Sequence, residues 1–134
     1  MIKAHPWFGI GPERAKQEGG RFDEFLPKDI PRPLPAGWYG HLHSIYIHYA
    51  AERGIPAMLV LVWMLVRMAI DFWRGTRNLQ TRSDAKFVLH ASAAVVIAVM
   101  LEGFFEVNLG DSEVLGMFLA VAGCGYTALE KAHG

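Results

Sequence analysis

The sequence predicts an all-α integral membrane fold: a polar loop and an amphipathic helix, followed by three transmembrane helices. Three observations predict it. Residues 55–66, 87–101 and 114–129 contain no Asp, Glu, Lys or Arg. Half of the charged side chains and six of the seven prolines lie in residues 1–53. The three uncharged runs also follow one another closely in a chain of 134 residues, a length that holds one domain. A single such run is compatible with a buried soluble helix; three in succession read as membrane spans.

The first 40 residues form a loop segment, with a short polar helix possible over 12–26. Pro27, Pro31, Pro33 and Pro35 cannot occupy a helix interior and favour extended chain. From His41 the pattern changes. His43, Ile47 and Ala51 recur every four residues, as do Ile45 and Tyr49, which predicts an amphipathic helix over 41–54 with Gly54 as its C-cap. Pro56 can open the first span. Residues 55–134 then make a three-helix transmembrane segment.

Span one is Ile55 to Phe72, about 27 Å of helix against about 30 Å of hydrocarbon. Arg67 and Asp71, one turn apart, can pair near one end, and Trp73 sits where an aromatic belt is expected. Span two begins near Phe87, behind a possible Ser83–Asp84 N-cap. Its small residues Ala91, Ser92, Ala93 and Ala94 suit close helix contact in lipid. Span three, Val114 to Leu129, is short, and Gly116, Gly123 and Gly125 call for a close neighbour.

Arg74, Arg77, Arg82 and Lys86 lie between spans one and two, whereas residues 110–113 carry no cation, so 73–86 is expected on the cytoplasmic side. Residues 1–53 then lie outside. Met1 to Pro6 lacks the basic start and apolar run of a signal peptide. A polar head with several cations does not cross a membrane readily unaided, so the chain is expected to be the C-terminal piece of a longer membrane protein, whose N-terminal transmembrane helices are among its partners.

Composition narrows the chemistry. Thirteen Lys and Arg balance thirteen Asp and Glu, which argues against a nucleic-acid partner bound through a basic surface. The single cysteine, Cys124, excludes an intramolecular disulfide and a multi-cysteine metal site; it reads as a small apolar residue. His41, His43 and His48 cluster just before a span. A histidine titrates near neutrality and can accept a proton, but on a helix residues 43 and 48 lie about 140° apart, so the three do not converge as metal ligands would. Interfacial, hydrogen-bonded histidines are the plainer reading. Arg14, Arg21, Arg32 and Arg53 have guanidinium forks that suit a phosphate or diphosphate, although interspersed acids also fit a solvated loop. Glu102 and Glu106 sit at the outer end of span two, where a carboxylate is costly and marks function by default; they can equally reach the interface or pair with an arginine of the head. His90 reads as an interhelical hydrogen bond. Gly9-Ile10-Gly11-Pro12 lacks the spacing of a phosphate-binding loop and reads as a turn. Ser44 directly follows His43, and no Ser-His-Asp nucleophile pattern is present.

The segments HPWFGIGPE at 5–13, HLHSIYIHYAAERGIPA at 41–57 and EGFFEVNLGDSEV at 102–114 resemble the C-terminal part of the O-antigen ligase and polysaccharide polymerase family. His43-Ser44, nine residues and Gly54 fit the family's His, then Asn, Ser or Gln, nine residues, Gly hallmark. Pro6 to Pro12 fits the P-x-F-G-x-G-P opening of the large periplasmic loop. At the small position that follows, Ala57 stands where many members have Gly, Thr or Val.

The resemblance implies a metal-independent, inverting glycosyl transfer with no cofactor, at the periplasmic face of the bacterial inner membrane. The donor is a glycan on undecaprenyl diphosphate, and the acceptor is a lipid A-core hydroxyl or another glycan. His43 fits the family's essential histidine, as the catalytic base or positioner of the acceptor hydroxyl. The family's best-known diphosphate-binding arginines lie upstream of the P-x-F-G-x-G-P segment. Arg14, Arg53, His41 and Glu106 are candidate substrate-binding residues by proximity and not by motif. Polysaccharide polymerases and protein O-glycosylation ligases share the domain. A non-catalytic or transporter-like membrane module and an inactive gene fragment remain the competing readings.

Overall fold

The computed structural model describes residues 1–12, 28–29, 42–79 and 84–133. Among these the chain is all-helical, without strands. Helix α1 is Ile45–Glu52, α2 is Ile55–Asn78, α3 is Asp84–Glu102 and α4 is Ser112–His133, with a 3-10 turn at Asn108–Gly110 before α4. Three of these, α2, α3 and α4, are long and apolar enough to cross a membrane.

Helix α2 outruns its uncharged stretch because Arg67 and Asp71 neutralise one another, Arg67 Nε donating to Asp71 Oδ2 at 3.0 Å. It therefore continues to Asn78, about 36 Å in all. Helix α4 is likewise longer than the uncharged run 114–129, reaching 22 residues, which is enough to span. Pro56 lies in the first turn of α2, where its missing N–H costs nothing. Ser83 lies outside the described residues, so the predicted Ser83–Asp84 cap is described only by its second member, which starts α3.

Helix α3 is the centre of the bundle and packs against both α2 and α4. Leu61, Leu65 and Phe72 of α2 meet Leu89, Ala93 and Val96 of α3 and Phe118 of α4 in one core. Many large apolar side chains of the spans nevertheless face outward: Trp63 is 67% exposed and Val60 63%. In water that surface would be an aggregation liability, whereas in lipid it is the ordinary exterior of a span.

Of the three glycines of span three, one has the close neighbour expected. A Cβ on Gly125 would lie 2.7 Å from the Phe72 ring, while Gly116 and Gly123 face open space. Ser92 on α3 donates to the Val121 carbonyl of α4 at 3.3 Å, the kind of interhelical bond its small neighbours permit. His90 departs from expectation. It lies on an exposed face of α3, and its Nδ1 is 2.8 Å from the Lys86 carbonyl of its own helix, so it bridges no helix pair.

Candidate functional site

At the end of the bundle where α3 finishes and α2 begins, three segments meet: residues 1–12, α1 with its flanks, and the turn 103–110. Helix α1 is only eight residues long, shorter than the predicted 41–54, because the chain before it is committed elsewhere. Ser44 is extended (φ −163°, ψ 126°). Its hydroxyl donates to the Gly103 carbonyl at 3.1 Å. The Ile45 N–H is shared between the carbonyls of Gly103 (2.9 Å) and Glu106 (3.2 Å), and Tyr46 Oη donates to the Met100 carbonyl at 2.7 Å. The start of a helix leaves N–H groups unpaired and the end of a helix leaves carbonyls unpaired. Here a first-turn N–H of α1 and two hydroxyls satisfy carbonyls at and just beyond the end of α3. Asn108 completes the turn, its Nδ2 reaching the Val99 carbonyl (3.2 Å) and Glu102 Oε2 (3.3 Å). The Tyr46 and Phe104 rings meet in a tilted arrangement, 4.9 Å between centres and 53° between planes. Burial pushes the Tyr46 phenol above its ordinary value, by desolvating the phenolate.

The other end of α1 is held by residues 6–11. Ile10 and Gly11 donate their N–H groups to the Ala51 and Glu52 carbonyls, each at 2.9 Å, and Ile55 donates to Pro6 at 2.8 Å. Gly9 (φ 64°) and Gly54 (φ 91°) allow this approach. A Cβ on Gly9 would lie 2.3 Å from the Glu52 carbonyl, and one on Gly54 would lie 2.1 Å from the Trp7 oxygen. The Gly-rich opening and the glycine that closes the His43 motif are therefore two sides of one backbone contact.

The candidate side chains are distributed unevenly over this scaffold. His43 is exposed and precedes α1, so the angular spacing that a longer helix would impose on the histidines does not apply to it. Glu106, also exposed, comes to the same end of α1, since its carbonyl receives the Ile45 N–H. Arg53 lies at the opposite end, beyond two turns and about 12 Å of helix. Its guanidinium is 5.0 Å from the centre of the Tyr49 ring. The structure thus brings His43 and Glu106 to one end and leaves Arg53 at the other. Arg14 and His41, like Arg21 and Arg32, lie outside the described residues.

His48 points inward, its Nε2 3.3 Å from Oε2 of Glu52, which is 4% exposed. Sequence reasoning does not single out Glu52, although its i, i+4 spacing from His48 is the signal that finds it. Tyr46, Gly103 and Asn108 carry no comparable signal, because their roles arise from contacts across more than fifty residues or within an irregular turn. Among the described residues no three His, Cys, Asp or Glu side chains form a group able to hold a metal ion.

Residues 1–62 match the family model described as O-antigen ligase. The chain resembles the C-terminal part of an O-antigen ligase family member. The match takes in the Gly-rich opening, all of α1 and the first turns of α2. It stops before α3, so the Gly103 to Glu106 half of the site lies outside the O-antigen ligase match and is joined to it by the hydrogen bonds above. No curated protein and no solved structure matches the chain. Three helices are long and apolar enough to cross a membrane, and the O-antigen ligase match over residues 1–62 supports a ligase-type or polymerase-type, glycosyltransferase-like membrane function.

Proposed function

We propose that the chain forms the acceptor-activating part of an O-antigen ligase-type glycosyltransferase, with His43 as the catalytic base at the periplasmic face of the inner membrane. The donor is a glycan on undecaprenyl diphosphate and the acceptor is a sugar hydroxyl of the lipid A-core type. His43 takes the proton of that hydroxyl as its oxygen bonds to the anomeric carbon. The bond to the diphosphate breaks, and the lipid diphosphate leaves with the electron pair. A diphosphate is already a good leaving group, so base assistance and cationic stabilisation of the departing charge are the main demands on the protein.

The observation that carries the proposal is the placement of His43: exposed, within the family-matched segment, at the end of the bundle where α3 finishes and α2 begins. The Ser44 and Ile45 bonds to the end of α3 hold its backbone there. Glu106 is assigned to the acceptor side with it, and Arg53, together with Arg14 and His41, to the wider substrate-binding surface.

The test is His43→Ala in the chromosomal gene, reading glycan attachment to the lipid acceptor by gel and the variant's abundance in membranes. Loss of attachment by about 10²–10⁴-fold, with unchanged membrane abundance, is expected of a lost general base. Attachment at the parental level would overturn the assignment.

A further inference from the structure

A groove of about 550 Å³ runs along the outside of the bundle between α2 and α3. Val66, Ala69 and Ile70 form its α2 wall, and Ile97 and Leu101 stand opposite on α3. At one end Met100 and Phe104, which touch Tyr46 of the candidate site, line it, and the proposed transfer does not use its other end. Arg74 and Arg77 close the end nearest the α2–α3 connection, and no acidic side chain lines the groove. Both arginines are exposed. Arg77 is held in place, its guanidinium carbon 6.0 Å from the centre of the Trp73 ring.

The dimensions match a lipid of one leaflet. From Val66 to Arg77 the helix rises about 17 Å, and half of the hydrocarbon core is about 15 Å. A chain laid along Val66 and Ile70 therefore brings its headgroup level with Arg74 and Arg77. Tryptophan is the side chain that favours this interfacial depth. An arginine fork recognises a phosphate diester, and two of them without an acidic neighbour favour a headgroup with net negative charge.

We propose that this groove binds an anionic phospholipid, with an acyl chain against Val66, Ile70 and Ile97 and the headgroup phosphate on Arg74 and Arg77. A zwitterionic lipid presents the same phosphate but carries its own cation, which the two arginines repel. Selectivity therefore comes from charge at one end of the groove and retention from the apolar length behind it.

Native mass spectrometry of the detergent-purified chain with equal amounts of phosphatidylglycerol and phosphatidylcholine tests this. Phosphatidylglycerol should be retained about tenfold more than phosphatidylcholine. Arg74→Gln/Arg77→Gln, at exposed positions, should abolish the preference while circular dichroism shows unchanged helicity. Ile70→Trp, which fills the groove and leaves both arginines, should abolish retention of either lipid. Equal retention by the parent chain would overturn the proposal. So would a preference that survives the double substitution, which would assign it to other cations, or one that survives Ile70→Trp, which would assign it to surface charge alone. A dimer that Ile70→Trp dissociates would give the groove to a second copy of the chain and overturn the lipid assignment.

Discussion

The Gly11 N–H donates to the Glu52 carbonyl at 2.9 Å, tying the first residues of the chain to the last turn of the short helix α1. With Ile10 on Ala51 and Pro6 under Ile55, this bond wraps residues 6–11 around the α1–α2 corner. The carbonyls that a helix end leaves unpaired are thereby satisfied by chain and not by solvent. At its other end α1 satisfies carbonyls of α3 and the following turn. A helix too short to be stable by itself is thus held at both ends, with His43 just outside one of them.

The backbone contact depends on Gly54 more than on any side chain. Its φ of 91° and ψ of 164° belong to a region open essentially to glycine alone, and a Cβ would meet the Trp7 oxygen at 2.1 Å. Gly54→Ala is expected to cost about 1–3 kcal/mol from the backbone conformation before any clash is counted. Limited proteolysis should cut residues 1–12 faster in the variant, and the unfolding temperature in detergent should fall. Parental protection of that segment would contradict the contact.

Helix α4 offers a paired comparison within one element. Gly125 lies against Phe72 and Ser92, whereas Gly123 faces open space. Gly125→Ala should destabilise by about 1–3 kcal/mol through overpacking. Gly123→Ala should be neutral or slightly stabilising, by up to about 1 kcal/mol, since alanine is the better helix former. Unfolding of both variants in the same detergent decides the order, and equal effects would argue against the α2–α4 packing.

Tyr46 makes stability sensitive to alkali. Its phenol is held above the ordinary value by burial, so the folded state keeps its proton where the unfolded state releases it. The resulting stability is present in full below the unfolded pKa of about 10 and is lost as pH rises through the folded value. Tyr46→Phe should cost about 1 kcal/mol at pH 7, from the hydrogen bond to Met100. It should also flatten the fall in unfolding temperature as pH rises above the ordinary tyrosine value of about 10. A parallel fall in parent and variant would remove Tyr46 as the cause.

His43 and Arg53 stand at opposite ends of α1, and their substitutions should separate in kinetics. Loss of the histidine should depress kcat by about 10²–10⁴-fold. Arg53→Gln removes a cation stacked on Tyr49, worth about 0.5–1 kcal/mol at an exposed site. It should leave kcat within a few-fold and act, if at all, on KM for the diphosphate donor. A collapse of kcat in Arg53→Gln would place Arg53 at the reacting bond.

The sequence by itself determined the helical class, the three candidate spans and the resemblance to the O-antigen ligase family. Uncharged runs of membrane length, bounded by charged and glycine-bearing turns, leave the backbone no alternative but helix in lipid, and His43-Ser44 to Gly54 is a local pattern legible without a fold. The sequence also carried the Arg67–Asp71 pair, because one helical turn sets that distance. Tertiary structure decided the rest. Helix α1 starts at Ile45 because the Ser44 hydroxyl and the Ile45 N–H bond to a turn nearly sixty residues away. His90 lies on an exposed face of α3 and turns back on its own helix. Gly9 and Gly54 are required by each other's segments, and Glu106 joins His43 while Arg53 does not. Each of these depends on distances between residues remote in the chain, which no local periodicity encodes; they emerge only when helix ends with unpaired N–H and carbonyl groups find one another.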